Sequence, residues 1–448
     1  MIDSVVHFLE EVRSKSLFLS DPSITISAKE FVERIESKTK KLPAGGGRIY
    51  FPIERSIDSL EWFFALLNAG FLVFIGNPSA ASGKIASLIK YISPRFAILP
   101  NYQVSSLPLK PLNISSLTGS TALCHLNNSN DLIDPCETIA QVALMTSGTT
   151  GEPKAILHRF SSLILNASLH AEAVELESKD IVGVALPFHY SYGLVAVILG
   201  SLVRGASLLF APTSLPEDLE HSLDKATFFS ATPMFVRRMS QIPFRTLTIG
   251  GDLTTVAIAS KVFQQRCDIN LYITYGLTEA GPRVFTHRVA PGDCLEGHLP
   301  MGEPLKGVSW RLGTDQEIIV KTPTAMLGYF CRPEETAQTL SGNDVHTGDL
   351  AKTENGRLYF LGRKKRLCCR GGEKIYPSEL ERVLQQISYV RNAYVTMEYD
   401  DQLVAYIETD ETIDEKHLKT HMLRYFPRTQ FPDQIKSVSK LPAEARKK

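Results

Sequence analysis

Residues 144–158, LMTSGTTGEPKAILH, constrain this chain more than any other stretch: an apolar run passes into a loop of glycines and small hydroxyl residues that closes on Pro153 and Lys154. Gly148 and Gly151 can adopt the positive φ values that turn successive backbone N–H groups toward one point, which makes an anion-binding nest. Ser147, Thr149 and Thr150 add hydroxyl donors beside Thr146. Lys154 then brings a compact positive charge, which suits outer phosphates because an ammonium needs no fixed fork geometry. The spacing departs from GxxxxGK[ST], since Glu152 and Pro153 separate the second glycine from the lysine, so a Walker-type kinase or GTPase is disfavoured. Taken alone, such a cluster also fits an ordinary polar surface loop.

A chain of 448 residues exceeds one ordinary core, so a large compound domain with a smaller companion is expected. Its 48 basic and 48 acidic side chains cancel, and a nucleic-acid binder would carry a basic excess. The longest apolar candidate for a membrane span, residues 194–209, is broken by Gly200, Arg204 and Gly205. The N-terminus carries acids early and has no basic segment ahead of an apolar core, so it does not read as a signal peptide. Seven scattered cysteines without a CxxC argue against a disulfide framework, and the expected compartment is the cytosol. Cys368 and Cys369 read as neighbours on a strand that face opposite ways.

Along the chain, strand and helix patterns alternate from residue 24 to residue 100, which predicts a mostly parallel sheet with helices on its faces. Ser27 and Glu30 form a capping-box signature ahead of the first amphipathic helix. Residues 101–136 lack periodicity and read as a long connection. After the phosphate loop the alternation resumes as far as INLYITYGLTEAG. From His298 short strands with Gly and Pro turns predict a small β-rich unit, and past Arg363 a compact α+β segment ends in a helix around residues 415–425. The fold class expected is therefore α/β: a large N-terminal domain of mostly parallel sheets flanked by helices plus a β-rich subdomain, residues 1–363, then a small mobile α+β domain, residues 364–448.

Three further stretches carry chemistry. ITYGLTEAG places Tyr275, Gly276, Thr278 and Glu279 just past a strand's carboxyl end, where ligands gather in open α/β sheets. A tyrosine ring can stack on adenine, a hydroxyl can bond the α-phosphate, and a carboxylate can hold Mg²⁺ together with substrate phosphates. HTGDLAKTENGRLYFLGR supplies Asp349 and, fourteen positions later, Arg363, a carboxylate for ribose hydroxyls and a cation for ribose or phosphate oxygens. GGEKIYPSELE joins a glycine turn to a helix start at Pro377.

TSGTTGEPK, the Gly250-Gly251-Asp252 segment, YGLTE, TGD followed by GR, and GGEKIYPSELE together resemble the adenylate-forming enzymes: acyl- and aryl-CoA ligases, luciferases and peptide-synthetase adenylation domains. The matches span nearly the whole chain in the family's order, and the short length and PKA spelling are similar to its o-succinylbenzoate ligases and stand-alone acyl-carrier-protein ligases. Thr274 stands where many members have glycine. The resemblance implies ATP and Mg²⁺ as cofactors, adenine contacts at Gly250, Gly251 and Asp252, a metal ligand at Glu279, a ribose clamp at Asp349 and Arg363, and a hinge at Lys365. The family's C-terminal LPxTxxGK places its catalytic lysine at Lys448, although Glu444 and Lys447 replace the Thr and Gly. The activity implied is adenylation of a carboxylic acid followed by transfer to the thiol of CoA, or to the phosphopantetheine of an acyl carrier protein, with a degenerate binding module as a further alternative. In LPFHYSYG no Asp is available to pair a substrate ammonium, so an amino acid is disfavoured. His189 is implied to line the acid pocket, and Phe188, Tyr190 and Tyr192 suit an aromatic or medium-chain acid.

Overall fold

The computed structural model describes residues 4–44, 46–100, 104, 113–116, 121–126, 139–147, 153–212, 219, 222–295, 299–370, 373–398, 402–442 and 445. Two large sheets organise most of them. The nine-stranded sheet runs, edge to edge, Glu303–Pro304, Phe285–Val289, Asn270–Tyr275, Thr246–Gly250, Phe228–Ala231, Ile181–Val184, Ser207–Phe210, Phe18–Ser20 and Thr25–Ser27. Its six central strands, from Asn270–Tyr275 to Phe18–Ser20, are all parallel. The eight-stranded sheet centres on the parallel strands Phe96–Pro100, Gly47–Pro52, Phe71–Gly76 and Val142–Ser147. FLVFIG, the strand Phe71–Gly76, is buried at every position, as a parallel strand covered on both faces must be.

The two sheets share one hydrophobic core. It takes Ile49, Val73 and Val142 from one sheet, Val182 and Leu208 from the other, and the helices Ile57–Asn68 and Phe160–Ala173 between them. The first of these helices is apolar nearly all round, which suits a helix enclosed on all sides. Its Phe64 meets Phe8, Phe31 and Phe160 in edge and stacked contacts 5.6 to 6.2 Å between centroids. The Ser27 hydroxyl accepts from the Glu30 amide, as its capping signature requires, and the helix Ala28–Thr39 buries Ala28, Phe31, Val32 and Ile35 on one stripe.

One sequence expectation needs correction, and one helix departs from α geometry. Within residues 101–136 the strands Asn113–Ser116 and Thr121–His125 form the edge of the eight-stranded sheet; they are short and alternate weakly, so periodicity did not mark them. The helical run after LPFHYS opens as a π-helix, Tyr192–Leu199, and only then becomes α-helical at Gly200–Arg204. A Cβ on Gly193 would stand 2.3 Å from the Pro187 carbonyl oxygen, so this wide first turn lies directly against the preceding loop.

The β-rich unit is an antiparallel five-stranded sheet of Ser309–Leu312, Glu317–Lys321, Asp344–Glu354, Leu340–Ser341 and Arg357–Arg363. Asn355 and Gly356 turn the last hairpin with φ values of 50° and 75°, the double positive that a two-residue hairpin loop demands. A bulge then shifts the register between Leu350 and Ala351, and Asp349 falls opposite Arg363. Without that extra residue Asp349 would face Gly362.

Past Arg363 come the hairpin Cys368–Arg370 with Glu373–Ile375, the helix Pro377–Leu384, the three-stranded sheet Asn392–Met397, Leu403–Glu408 and Gln434–Val438, and the helix Glu415–Met422. Cys368 is half-buried and Cys369 exposed on their strand, as expected. This stretch has its own core of Ile375, Leu380, Val383, Val395, Leu403 and Leu418 among others. Polar contacts join it to the rest: Lys364 with Asp315 and Glu317 (2.5 and 2.9 Å), Tyr376 to Gln316 (2.6 Å), and Arg237 to the Gln385 amide oxygen (2.8 Å) and the Arg391 carbonyl.

Candidate active site

Tyr275, Asp349 and Arg363 meet at the carboxyl end of Asn270–Tyr275, and Lys154 and Glu279 meet around Tyr329. Thr246–Gly250 and Asn270–Tyr275 are neighbours in parallel register, with Gly250 opposite Thr274, so the GG segment and the YGLTE turn leave the sheet side by side. Gly251 has φ +86°, and a Cβ on Gly276 would lie 1.8 Å from the Pro282 carbonyl oxygen; both positions are closed to larger residues. Asp252 is exposed, with its carboxylate accepting from the Leu253 amide at 2.7 Å.

Asp349 is the most buried of the predicted polar residues, 1 % exposed. The Tyr275 hydroxyl donates to its Oδ2 at 2.6 Å. Arg363 Nε stands 2.9 Å from Oδ1 but is not aligned for a hydrogen bond, and Oδ1 is buried without a donor among the described residues. Burial pushes the Asp349 carboxyl up and Arg363 opposes that shift; burial also raises the Tyr275 phenol, with the Asp349 charge adding to it. A buried acceptor with spare capacity costs free energy until a donor reaches it, so this oxygen fits a ribose hydroxyl.

Lys154 and Glu279, 125 residues apart in sequence, are brought together by Tyr329. The short strand Gly328–Tyr329 pairs with Pro153–His158, which sets the Tyr329 ring 4.9 Å from Lys154 Nζ. The Tyr329 hydroxyl donates to Glu279 Oε1 at 2.8 Å, and burial followed by the Glu279 charge drives its ionisation well upward. Lys154 also forms an ion pair with Glu335 on the helix Pro333–Thr339, and Arg332 binds the same carboxylate at 2.6 Å. Hydrogen bonding from Lys154 holds the Glu335 carboxyl below its ordinary range. Glu279 supplies one carboxylate, the donor type that Mg²⁺ takes together with substrate phosphates. Thr278 Oγ1 lies 3.1 Å from Ser191 Oγ, joining the YGLTE turn to the FHYS segment.

His189 is half-buried, its ring 4.2 Å from that of Tyr190 and both ring nitrogens buried without partners among the described residues. Burial, with a smaller contribution from Lys84, lowers its pKa to about 4, so the imidazole is neutral at pH 7. The neighbouring aromatics do not share one pocket. Phe188 is fully buried against Phe210 in the core, Tyr190 is 59 % exposed, and Tyr192 is enclosed with its hydroxyl 2.9 Å from Thr248 Oγ1. Phe188 and Tyr190 lie in a turn past the strand Ile181–Val184, so no strand alternation sets which way each faces.

Thr146 and Ser147 end their strand opposite Lys154 and Pro153, which fixes both ends of the phosphate loop. Gly148, Thr149, Thr150 and Gly151 lie outside the described residues, as does Lys448. Lys365 is exposed in the 3₁₀ turn Lys364–Arg366, between the Asp349–Arg363 pair and the C-terminal core.

Sequence reasoning missed Tyr329, Glu335, Asn166 and Arg283. Asn166, fully buried in the helix Phe160–Ala173, exchanges two hydrogen bonds of 2.9 Å with the backbone of Arg283. The Arg283 guanidinium lies 4.4 Å over the Tyr192 ring, and its Nη1 donates to Thr274 Oγ1 at 3.2 Å. Asn166 falls on the stripe of that helix that also buries Leu163, Ala167 and His170, and a polar residue on that stripe was the available signal.

Comparison with known proteins shows the family to which these strand-end features belong. Residues 21–330 match the family of AMP-binding enzymes, and the chain belongs to that family. It is 28% identical over 327 residues to a 2-succinylbenzoate–CoA ligase of Oceanobacillus iheyensis, covering 68% of this chain and 67% of the relative. To the 2-succinylbenzoate–CoA ligase of a Geobacillus species it is 26% identical over 453 residues, covering 94% and 90%. Among solved structures, the o-succinylbenzoate CoA synthetase of Bacillus subtilis, in complex with its acyl-adenylate intermediate, superposes with TM-score 0.82 at 19% identity, over 98% of this chain and 96% of that one. ATP-bound MatB from Rhodopseudomonas palustris gives 0.81 at 20%, over 98% and 95%. The fold is therefore that of the adenylate-forming enzymes.

Proposed function

We propose that this chain is an ATP-dependent ligase that adenylates an aromatic or medium-chain carboxylic acid and transfers the acyl group to the thiol of CoA. The observation that carries the reading is the buried Asp349 carboxylate with one oxygen lacking a hydrogen-bond donor among the described residues, held beside Tyr275 and Arg363, with Glu279 and Lys154 joined through Tyr329. In the first step an acid oxygen attacks the α-phosphorus of ATP, that O–P bond forms, the bond to the β-phosphate bridge breaks, and pyrophosphate leaves. Lys154, released from Glu335, offsets charge on the outer phosphates, and Thr278 is placed to bond an α-phosphate oxygen. Mg²⁺ held by Glu279 would supply further charge neutralisation to the phosphates. Neutral His189 lines the acid side without adding charge. In the second step the thiol sulfur bonds to the acyl carbon, the acyl–phosphate bond breaks, and AMP leaves.

The curated relatives are CoA ligases, which supports CoA as the acceptor. We further propose that residues 1–363 form the large domain and 364–448 a lid that turns about Lys365; the separate C-terminal core and the purely polar contacts of Lys364, Tyr376 and Arg237 support it. Lys448 on that lid is the proposed lysine of the first step. Pyrophosphate release with a panel of aromatic and aliphatic acids, followed by thioester analysis with CoA, tests the function. Acid-dependent pyrophosphate and a CoA thioester are expected, whereas release independent of every acid would overturn the reading.

A further inference from the structure

Glu317 opens the strand Glu317–Lys321 and is 7% exposed, yet none of the steps above uses it. A buried carboxylate is costly unless its oxygens are bonded, and both of these are. The Gly348 amide donates to Oε1 at 2.9 Å, and Lys364 Nζ donates to Oε2 at 2.9 Å. Asp315 shares Lys364 at 2.5 Å, and His346 Nδ1 stands 3.8 Å from Oε2. The two donors bracket the Asp349–Arg363 pair in sequence: Gly348 immediately precedes Asp349, and Lys364 immediately follows Arg363.

The turn that carries Asp349 stands outside the regular ladder. Glu317 pairs with Leu350 and Ile319 with His346, so Thr347, Gly348 and Asp349 lie opposite Ile318 alone. Such a protrusion interrupts the ladder bonds that would otherwise fix it, and side chains must supply others. Thr347 Oγ1 donates to the Ile318 carbonyl at 2.7 Å and accepts from the Asp349 amide at 3.0 Å. Glu317 takes the Gly348 amide. A Cβ on Gly348 would meet nothing within 4 Å, so glycine stands there for its φ of +68° and not for want of space. Burial is the main cause of the raised Asp349 carboxyl, and the Glu317 charge adds to it. What Glu317 gives Asp349 is therefore position and not ionisation.

We propose that Glu317 is a positioning residue that fixes the ribose clamp from both ends. Its Oε1 holds the turn that presents Asp349, and its Oε2 holds Lys364, so that Arg363 stays on Asp349 while the chain beyond Lys365 turns. The proposal rests on the ligase reading and on the hinge at Lys365. Lys364 is the last residue before that pivot, in the 3₁₀ turn Lys364–Arg366. Without an anchor it would share the rotation, and Arg363, one residue back, would be drawn off the carboxylate that it faces at 2.9 Å. Tied to Glu317 and Asp315, it confines the φ/ψ change to Lys365. The acyl adenylate then keeps its ribose contacts between the two half-reactions, when pyrophosphate has left and fewer groups hold the nucleotide.

The full-length enzyme is assayed with the acid that it adenylates fastest, Mg²⁺ and CoA, and ATP is compared with 2′-deoxy-ATP and 3′-deoxy-ATP. For the wild type, kcat/KM for ATP is expected to exceed that for the poorer analogue by about thirtyfold, mostly through KM, as for a lost hydrogen bond to a buried carboxylate. Glu317→Ala should bring that ratio to within about threefold of one, and Glu317→Gln, whose amide oxygen can still accept from Gly348, should keep it. Glu317→Gln and Lys364→Met should instead leak: acyl adenylate free in solution, measured against thioester formed, should rise at least about fivefold in each, as loss of a charge-assisted contact allows. Glu317→Gln combined with Lys364→Met should leak no more than Lys364→Met alone, because both remove the same contact. Should Glu317→Ala fail to fold, the leak in the other variants still decides. A wild type indifferent to the ribose hydroxyls, an unchanged ratio or equal loss on all three nucleotides in a folded Glu317→Ala, or additive leaks in the double variant would overturn the proposal and leave the ligase reading standing. No pyrophosphate with any acid would overturn the ligase reading itself.

Discussion

Lys154 and Arg283 carry the same charge beside different sheets and in opposite surroundings. The Lys154 side chain is 18% exposed and has an ion partner in Glu335 and an aromatic face in Tyr329. Arg283 is 3 % exposed and has an aromatic face in Tyr192 but no ion partner among the described residues. A paired, half-open lysine can exchange one anion for another at little cost, which suits phosphates that arrive and leave in each cycle. A buried arginine without an ion partner keeps its charge in place, held by the Tyr192 face and the Thr274 hydroxyl.

The comparison breaks most readily at Lys154. Lys154→Met should lower the adenylation rate by about 10²- to 10³-fold, the range for removing one preorganised electrostatic contact, while melting within a few degrees of wild type. Equal rates by single-turnover pyrophosphate release would show that the outer phosphates are neutralised elsewhere.

The next effect concerns His170, the neutral neighbour of Arg283. Its folded-state pKa of about 3 lies below the ordinary 6.5, so between those values the unfolded chain binds a proton that the folded chain refuses. Stability must therefore fall as pH drops below about 6.5, by about 2 kcal/mol at pH 5 from this residue alone, and level off near its folded pKa. Thermal melts of wild type and His170→Asn at pH 7.5 and 5 measure it: the variant's deficit should shrink at the lower pH, and a constant gap would contradict the assignment.

Tyr329→Phe removes the hydroxyl that holds Glu279, and a change of up to about tenfold in the Mg²⁺ concentration for half-maximal rate is expected. Glu335→Gln should have the smallest effect, a KM for ATP lowered by up to about fivefold, because the carboxylate that competes with phosphate for Lys154 is gone. A raised KM would mean that Glu335 holds Lys154 in its working position instead.

What could be read in advance follows a physical division. The YGLTE turn and the Asp349–Arg363 hairpin were legible because glycines, hydroxyls and carboxylates in fixed local order force a turn. Even the pairing of Asp349 with Arg363 is local, set by an Asn-Gly turn and one bulge. Tyr329, Glu335 and Arg283 were not legible. GYFCRPEET has ordinary composition, and its residues acquire meaning only when a two-residue strand docks on Pro153–His158. Arg283 stands in PRVFTHR, which carries no local motif, and Asn166, 117 residues away, fixes its backbone indoors. Phe188 and Tyr190 show the same limit at short range, since one enters the core and the other faces solvent.

The central claim is that an acid oxygen attacks the α-phosphorus of ATP at this site. An acid labelled with ¹⁸O in the reacting carboxylate, turned over with ATP, Mg²⁺ and CoA, tests it directly by mass spectrometry of the nucleotide product. AMP carrying one ¹⁸O is the expected result, because the oxygen that bonds phosphorus stays with it when the thiol takes the acyl carbon. Unlabelled AMP, or ADP in its place, would contradict the account.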